Sequence, residues 1–475
     1  MTAMTRSSFL PLLAILLVGS LAAAPNPSVS RRSEAAAAVP VIDARPPDEG
    51  TRVEAVAFTS DGSRLMTRAD NGFVQLWNPF DREGNSFEFS VEATQVSPDG
   101  QSFARLIPAE DGRLRVQVLD GAGQVRSQFL TAFEAGLDTY QLGFSPDGET
   151  LLLLSLNRGE MQAWNRQGVP VATLQHPGGV NALVWSPDSQ SIVTEGLNDN
   201  LVRIHSLADG SIEQFVRASG AERDRTDGSL ASLVFSPDGQ RFVTTEADGI
   251  LWLRDRSGNR LNRLTDRSRA TSLWDVQFSP NGDRILAVGQ PHTTVVLWDA
   301  DGHPIAQLEP DASGIASATF SPDGTKIATV TEGLDRVRVW DLDGNNIAVL
   351  PGTGFHWSPD GQFLLTSTQT GSLSLWNAKT QETPTSWRGH RDVVAVGQFS
   401  PDGQSIATVS RDGIARLWDL EGRALDHWQL PRDPSSDGGL PFPDRFVDIA
   451  FDPQGRQLAV SEADGTIWLL AINPR

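Results

Sequence analysis

Apolar residues along most of this chain fall in pairs two positions apart, as in Val56/Phe58, Leu142/Phe144, Leu183/Trp185, Leu233/Phe235, Val276/Phe278 and Ile449/Phe451. A spacing of two sends both side chains out of the same face of an extended strand. A polar turn follows each pair. Ser-Pro-Asp-Gly occurs at 97–100, 145–148, 236–239, 321–324, 358–361 and 400–403, with near-copies at 59–62, 186–189, 279–282 and 452–455. Proline presets φ, aspartate bonds back to nearby backbone and glycine takes the left-handed conformation, so each copy predicts a hairpin. The ten copies stand 37 to 52 residues apart.

Beyond each turn the pattern predicts a second short strand, such as Ile327-Ala328-Thr329 or Ile406-Ala407-Thr408. A further turn leads to a third strand that closes on tryptophan, as at Trp77, Trp164, Trp298, Trp340, Trp376 and Trp418. Turns such as Asp301-Gly302, Asp343-Gly344 and Glu421-Gly422 then return the chain along a fourth strand. Four strands per unit, repeated in tandem, predict an all-β propeller. Val118 and His205 stand where units two and four would carry the third-strand tryptophan. Trp252 and Trp468 come two residues early, so units five and ten are expected to pack differently.

The clearest unit runs Gly389-His390, Phe399-Ser400-Pro401-Asp402-Gly403, Asp412-Gly413 and Leu417-Trp418-Asp419. In these residues and their spacing the chain resembles the WD40 repeat family, from about residue 40 to 475. The resemblance implies a β-propeller of about ten four-stranded blades closed by an N-terminal strand; two smaller propellers are the alternative. The last unit ends at Trp468-Leu469-Leu470-Ala471 without room for a fourth strand, and Val39 to Ala44 is an apolar segment without a unit of its own. It is expected to supply the missing strand, since an unpaired edge invites association. The resemblance further implies a hydrogen-bonded set within one blade, His390, Ser410, Asp412 and Trp418, in which Asp412 holds the imidazole and His390 reaches toward the serine and the indole. Ser, His and Asp are also the residue types of a catalytic triad. The chain has no G-x-S-x-G elbow, and Trp418 completes the family pattern, so the set reads as a structural staple.

Composition narrows the partners. The formal net charge is −20 at pH 7, against nucleic-acid binding, which needs a basic face, and against docking to anionic lipid. There are no cysteines, so disulfides, thiol nucleophiles, thiolate metal sites and a lipoprotein anchor are excluded. Asp299-Ala300-Asp301-Gly302 and Asp341-Leu342-Asp343-Gly344 resemble fragments of calcium loops but lack the later carboxylates, and no H-E-x-x-H is present. No metal or cofactor is expected. Arg6, the apolar run from Phe9 to Val18 and the small residues Ser20 and Ala22 read as a secretory signal peptide over 1–22. An uncleaved N-terminal anchor is the alternative. Residues 23–38 read as a flexible spacer and 39–475 as the propeller, a monomer in the periplasm or secreted, with no membrane span once the signal is removed.

Glu195, Glu246, Glu332 and Glu462 recur near the turn between second and third strands and form a candidate acidic partner-binding face. The long connection 426–445 adds Trp428 and Phe442, the latter between two prolines. The function expected is a non-catalytic scaffold that binds a protein or peptide on its loop face. Alternatives are a propeller hydrolase acting on a sugar or peptide in the channel mouth, and a TolB-like periplasmic propeller.

Overall fold

In the computed structural model the described residues are 40–43, 53–59, 61–69, 74–77, 87–88, 95–120, 123–136, 138–197, 201–217, 233–245, 250–264, 272–290, 294–308, 315–331, 335–382, 384–430 and 446–472. They contain ten four-stranded sheets, and every strand pairing is antiparallel. Nine sheets take their strands in simple chain order; sheet nine, for example, runs Val394–Phe399, Ser405–Ser410, Ile414–Asp419 and Ala424–Gln429. The tenth is completed from the far end of the sequence. Pro40–Asp43 pairs with Thr466–Ala471, with Pro40 opposite Trp468, Ile42 opposite Ile467 and Asp43 opposite Thr466.

The hairpin turn is built the same way in successive sheets. In sheet nine the Gly403 amide donates to the Ser400 carbonyl at 2.8 Å, and Gly403 sits at φ +69°. The Ser400 hydroxyl donates to Asp402 Oδ1 at 2.6 Å and accepts from the Ser405 amide at 2.9 Å, while the Gln404 amide donates to the same carboxylate at 3.0 Å. Asp452 replaces the serine in sheet ten, and its carboxylate takes the Gln457 amide at 2.7 Å. The sequence thus fixes each turn by local bonds alone.

Burial follows strand position. Second strands are covered on both faces, so Ser191–Gly196 and Ile327–Thr331 are buried throughout. Fourth strands form the rim, with exposed Val125, Val171, Leu261 and Val349. The third-strand tryptophans lie in clusters shared with the preceding sheet, Trp164 with Leu106 and Val116, Trp418 with Leu365 and Leu375. Truncating a buried side chain of that size typically costs about 3–5 kcal/mol. Such clusters join each sheet to the next through the whole series. Another joins sheet ten to sheet one, packing Ala450, Ala459 and Ile467 against Val56, Leu65 and Trp77. The described sheets therefore close on themselves in one cycle, and no consecutive pair lacks the packing that a division into two rings would break.

Register corrects one sequence assignment. Ile406 pairs with Trp418, and the matching residue of sheet two, Phe103, pairs with Leu119, so Leu119 and not Val118 takes the tryptophan position. A one-residue slip reverses strand faces. His205 does take that position in sheet four, opposite Ile192. In sheet five it falls to Arg254, opposite Phe242, and in sheet ten to Leu470, opposite Leu458.

Candidate interaction site

The polar centre of sheet nine is a directed chain of hydrogen bonds. The Trp418 indole donates to Thr408 Oγ1 at 2.9 Å, and Thr408 Oγ1 meets His390 Nε2 at 2.7 Å. On its other side His390 Nδ1 faces Asp412 at 3.1–3.2 Å. The threonine hydroxyl accepts from the indole, the Asp412 carboxylate can only accept, and Arg416 Nη1 stands beside the same His390 Nδ1. Burial pushes the His390 imidazole below its ordinary pKa, and Asp412 opposes that only in part. Burial alone would raise Asp412, yet bonds from His390, the Arg391 amide and Arg416 hold it well below the usual carboxylate range. We take the imidazole as neutral, since its burial dominates, and Arg416, at 3.1 Å, as the counter-charge.

Ser410 is not part of that relay. Its hydroxyl donates to the Asp392 carbonyl at 3.1 Å and accepts the Asp412 amide at 3.1 Å, and the residue is fully buried. The expected bond from His390 to the serine therefore goes to Thr408 instead. Thr408 lies two residues before Ser410 on the same strand face, nearer the middle of the blade. Thr408→Val is expected to cost about 2–3 kcal/mol in urea denaturation, because it orphans two buried partners, and Ser410→Ala about 1 kcal/mol. The opposite order would make the serine the hub.

The threonine recurs. Trp77 donates to Thr67 at 3.1 Å and Trp340 to Thr329 at 3.0 Å. Arg254 donates to Thr244 at 3.0 Å, and His205 Nε2 meets Thr194 at 2.8 Å. Sheet four repeats the cluster most fully: Thr194 also meets His176 Nδ1 at 2.6 Å, and Arg203 reaches His176 Nε2. The signal missed in the sequence is a threonine eight residues after the first residue of the turn.

Two of the four glutamates of the expected acidic face are covered by the fold. Glu195 and Glu462 are buried, at 2% and 5% exposure. Glu195 accepts from Asn181 Nδ2 at 3.1 Å, and Glu462 accepts the Trp468 indole at 2.6 Å, which explains why that tryptophan comes early. The two glutamates stand nine and ten residues past the first residue of their turns, so alternation sends them to opposite faces of their sheets. Trp428 is also buried, at the inward position of the fourth strand that Leu174, Leu308 and Leu350 hold elsewhere. None of these three is a contact surface. Glu246, Glu332, Phe442, residues 1–38 and the long connections at 218–232 and 431–445 lie outside the described residues. Among the described residues no group of three or more His, Asp or Glu side chains is placed to hold a metal ion, and no helix is long and apolar enough to cross a membrane.

What opens to solvent beside the His390 relay is a recess of about 640 Å³ lined by Arg388, Gly389, His390, Arg391, Arg416 and Trp418. Its floor is rigid: the Gly389 and His390 amides both donate to the Gly371 carbonyl, at 3.1 and 2.9 Å. A Cβ on Gly389 would stand 2.6 Å from Leu373 Cδ1, so a larger residue there would force that buried side chain to move.

Residues 168–206, 344–377 and 381–419 match the family model described as WD domain, G-beta repeat. These segments are WD40 repeats. Each matched repeat begins at or near the outermost strand of one sheet and runs through three strands of the next, so the repeat unit straddles two blades. The segment 381–419 holds the whole His390 relay, and 168–206 holds its sheet-four counterpart. An uncharacterized WD repeat-containing protein of Synechocystis is 27% identical over 34% of this chain and 42% of its own length. The histone-binding protein MSI1 of Saccharomyces cerevisiae is 26% identical over 33% of this chain and 39% of its own. A guanine nucleotide-binding protein subunit beta of rice is 25% identical over 52% of this chain and 68% of its own. The chain thus spans about two fifths of the first two relatives. Among solved structures, the C-terminal WD40 domain of Sif2 aligns with a TM-score of 0.44 at 15% identity, covering 93% of this chain and all of that one.

Proposed function

We propose that the chain is an exported, monomeric, non-catalytic scaffold whose WD40 ring binds protein partners. WD40 propellers typically mediate protein interactions, and WD40 repeats are what this chain shares with its relatives. The observation that carries the reading is the use of the polar residues. Of the triad-like set His390, Ser410 and Asp412, the imidazole is held by Thr408 and the Asp412 carboxylate, that carboxylate is held also by Arg416, and the Ser410 hydroxyl is buried and bonded to the Asp392 carbonyl and the Asp412 amide. A nucleophile needs a free, activated oxygen within reach of substrate. Export rests on the basic, apolar and small-residue order of residues 1–22.

Crosslinked capture with the mature protein is expected to retain a protein partner that excess soluble ring displaces. A hydrolase screen is expected to find no turnover that Ser410→Ala removes at an unchanged melting curve; such turnover would replace the scaffold reading with the enzyme one. For export, mass spectrometry of native material is expected to place the N-terminus at or near Ala23, and an intact Met1 or Met4 would overturn it.

A further inference from the structure

We propose that the recess between blades eight and nine is an oxyanion-binding site whose occupant is an acidic peptide segment held through its carboxylates. Three guanidinium groups line it, those of Arg388, Arg391 and Arg416. The carboxylate beside them, Asp412, is already engaged by Arg416, His390 and the Arg391 amide. Arg388 and Arg391 are exposed, and their side chains make no ion pair among the described residues. In a chain of net charge −20, Arg388 and Arg391 thus bring two positive charges without an ion pair among the described residues to one concave site. Arginine's planar fork matches a carboxylate two bonds at a time.

The layout favours a ligand charged at several points. Arg388 ends the strand Thr385–Arg388, Arg391 follows in the connection to the next blade, and Arg416 lies on Ile414–Asp419. A volume of about 640 Å³ is far larger than a single anion needs and suits several side chains. The floor needs no rearrangement, since Gly389 and His390 are bonded to Gly371 and the Arg411 amide donates to the Val393 carbonyl at 3.0 Å. Such preorganisation lowers the entropy lost on binding. The inference rests on the binding-scaffold reading, but its failure would leave docking elsewhere on the ring untouched, and the hydrolase screen tests that reading separately.

The test is fluorescence anisotropy of a labelled hexaglutamate peptide against the intact protein at low salt. Saturable binding is expected, weakening as salt is added. The double variant Arg388→Glu/Arg391→Glu is expected to bind about tenfold or more weakly with an unchanged melting curve, because both side chains are on the surface. Arg158→Glu/Lys379→Glu, the same change of charge at exposed positions outside the recess, is expected to bind like the parent. Inorganic phosphate alone is the second arm and is expected to compete only weakly. No binding by the parent, equal loss in both double variants, or saturable phosphate binding without peptide binding would overturn the proposal.

Discussion

Removal of residues 39–46 is expected to destabilise the whole ring and drive it to aggregate, whereas removal of residues 25–36 should leave the melting curve where it was. The longer-range consequence follows from where Pro40–Asp43 sits. It is the fourth strand of sheet ten, registered against Thr466, Ile467 and Trp468. Without it, Thr466–Ala471 becomes a bare edge with unpaired amides and carbonyls. Each ladder hydrogen bond lost removes about 1 kcal/mol directly. Sheet ten also carries one side of the packing that joins last to first, where Ala459 and Ile467 meet Leu65 and Trp77, so loosening it opens the cycle. Calorimetry and light scattering on the two truncations decide the matter. Equal melting of both with the parent would show that the strand exchange does not close the ring.

Acid is expected to weaken the protein through His205. This imidazole is fully buried, its Nε2 meets Thr194 and its Nδ1 has no hydrogen-bond partner among the described residues. Burial, then the positive charge available to His176 and that of Arg203, push its pKa down from 6.5 to about 4. In the unfolded chain the same ring takes up its proton near pH 6.5. Between those values the unfolded state binds more protons than the folded one, so stability is full above about pH 6.5 and declines as the pH falls toward 4. A shift of this size corresponds to roughly 3 kcal/mol at the acid end. Urea midpoints from pH 7.5 to 4 are expected to fall less steeply in His205→Gln than in the parent by about that amount. His390 and His356 are shifted in the same direction by burial and are retained in the variant, so the difference reports His205 together with its coupling to His176. Parallel pH profiles for the two proteins would show that His205 is already protonated in the folded state.

How far the site was legible varied with the range of the interactions involved. The Asp412 contact to His390 could be read because one repeat unit holds the whole motif at its family spacing. The choice of Thr408 over Ser410 could not be read, since both are small hydroxyl residues on the same strand face and only the depth of the imidazole selects between them. Val118 was placed one residue off because a strand without its tryptophan offers no marker, and pairing with Phe103 alone sets the count. Charge alone suggests surface turns for Glu195 and Glu462, but their second strands end inside the packed cycle, where the Asn181 amide and the Trp468 indole donate to them.

The sequence by itself determined the repeat, the hairpins and the strand alternation, because each of these depends on bonds and steric preferences spanning a few residues. It also marked the segment that closes the ring, through an apolar stretch without a unit of its own. Only the tertiary structure decided which polar side chains are covered and which remain free. The arginine recess draws Arg388 from one blade and Arg416 from the next. Their meeting depends on how two sheets stack, a relation set by the packing of Leu373, Leu375 and Trp418 between the blades rather than by any local pattern.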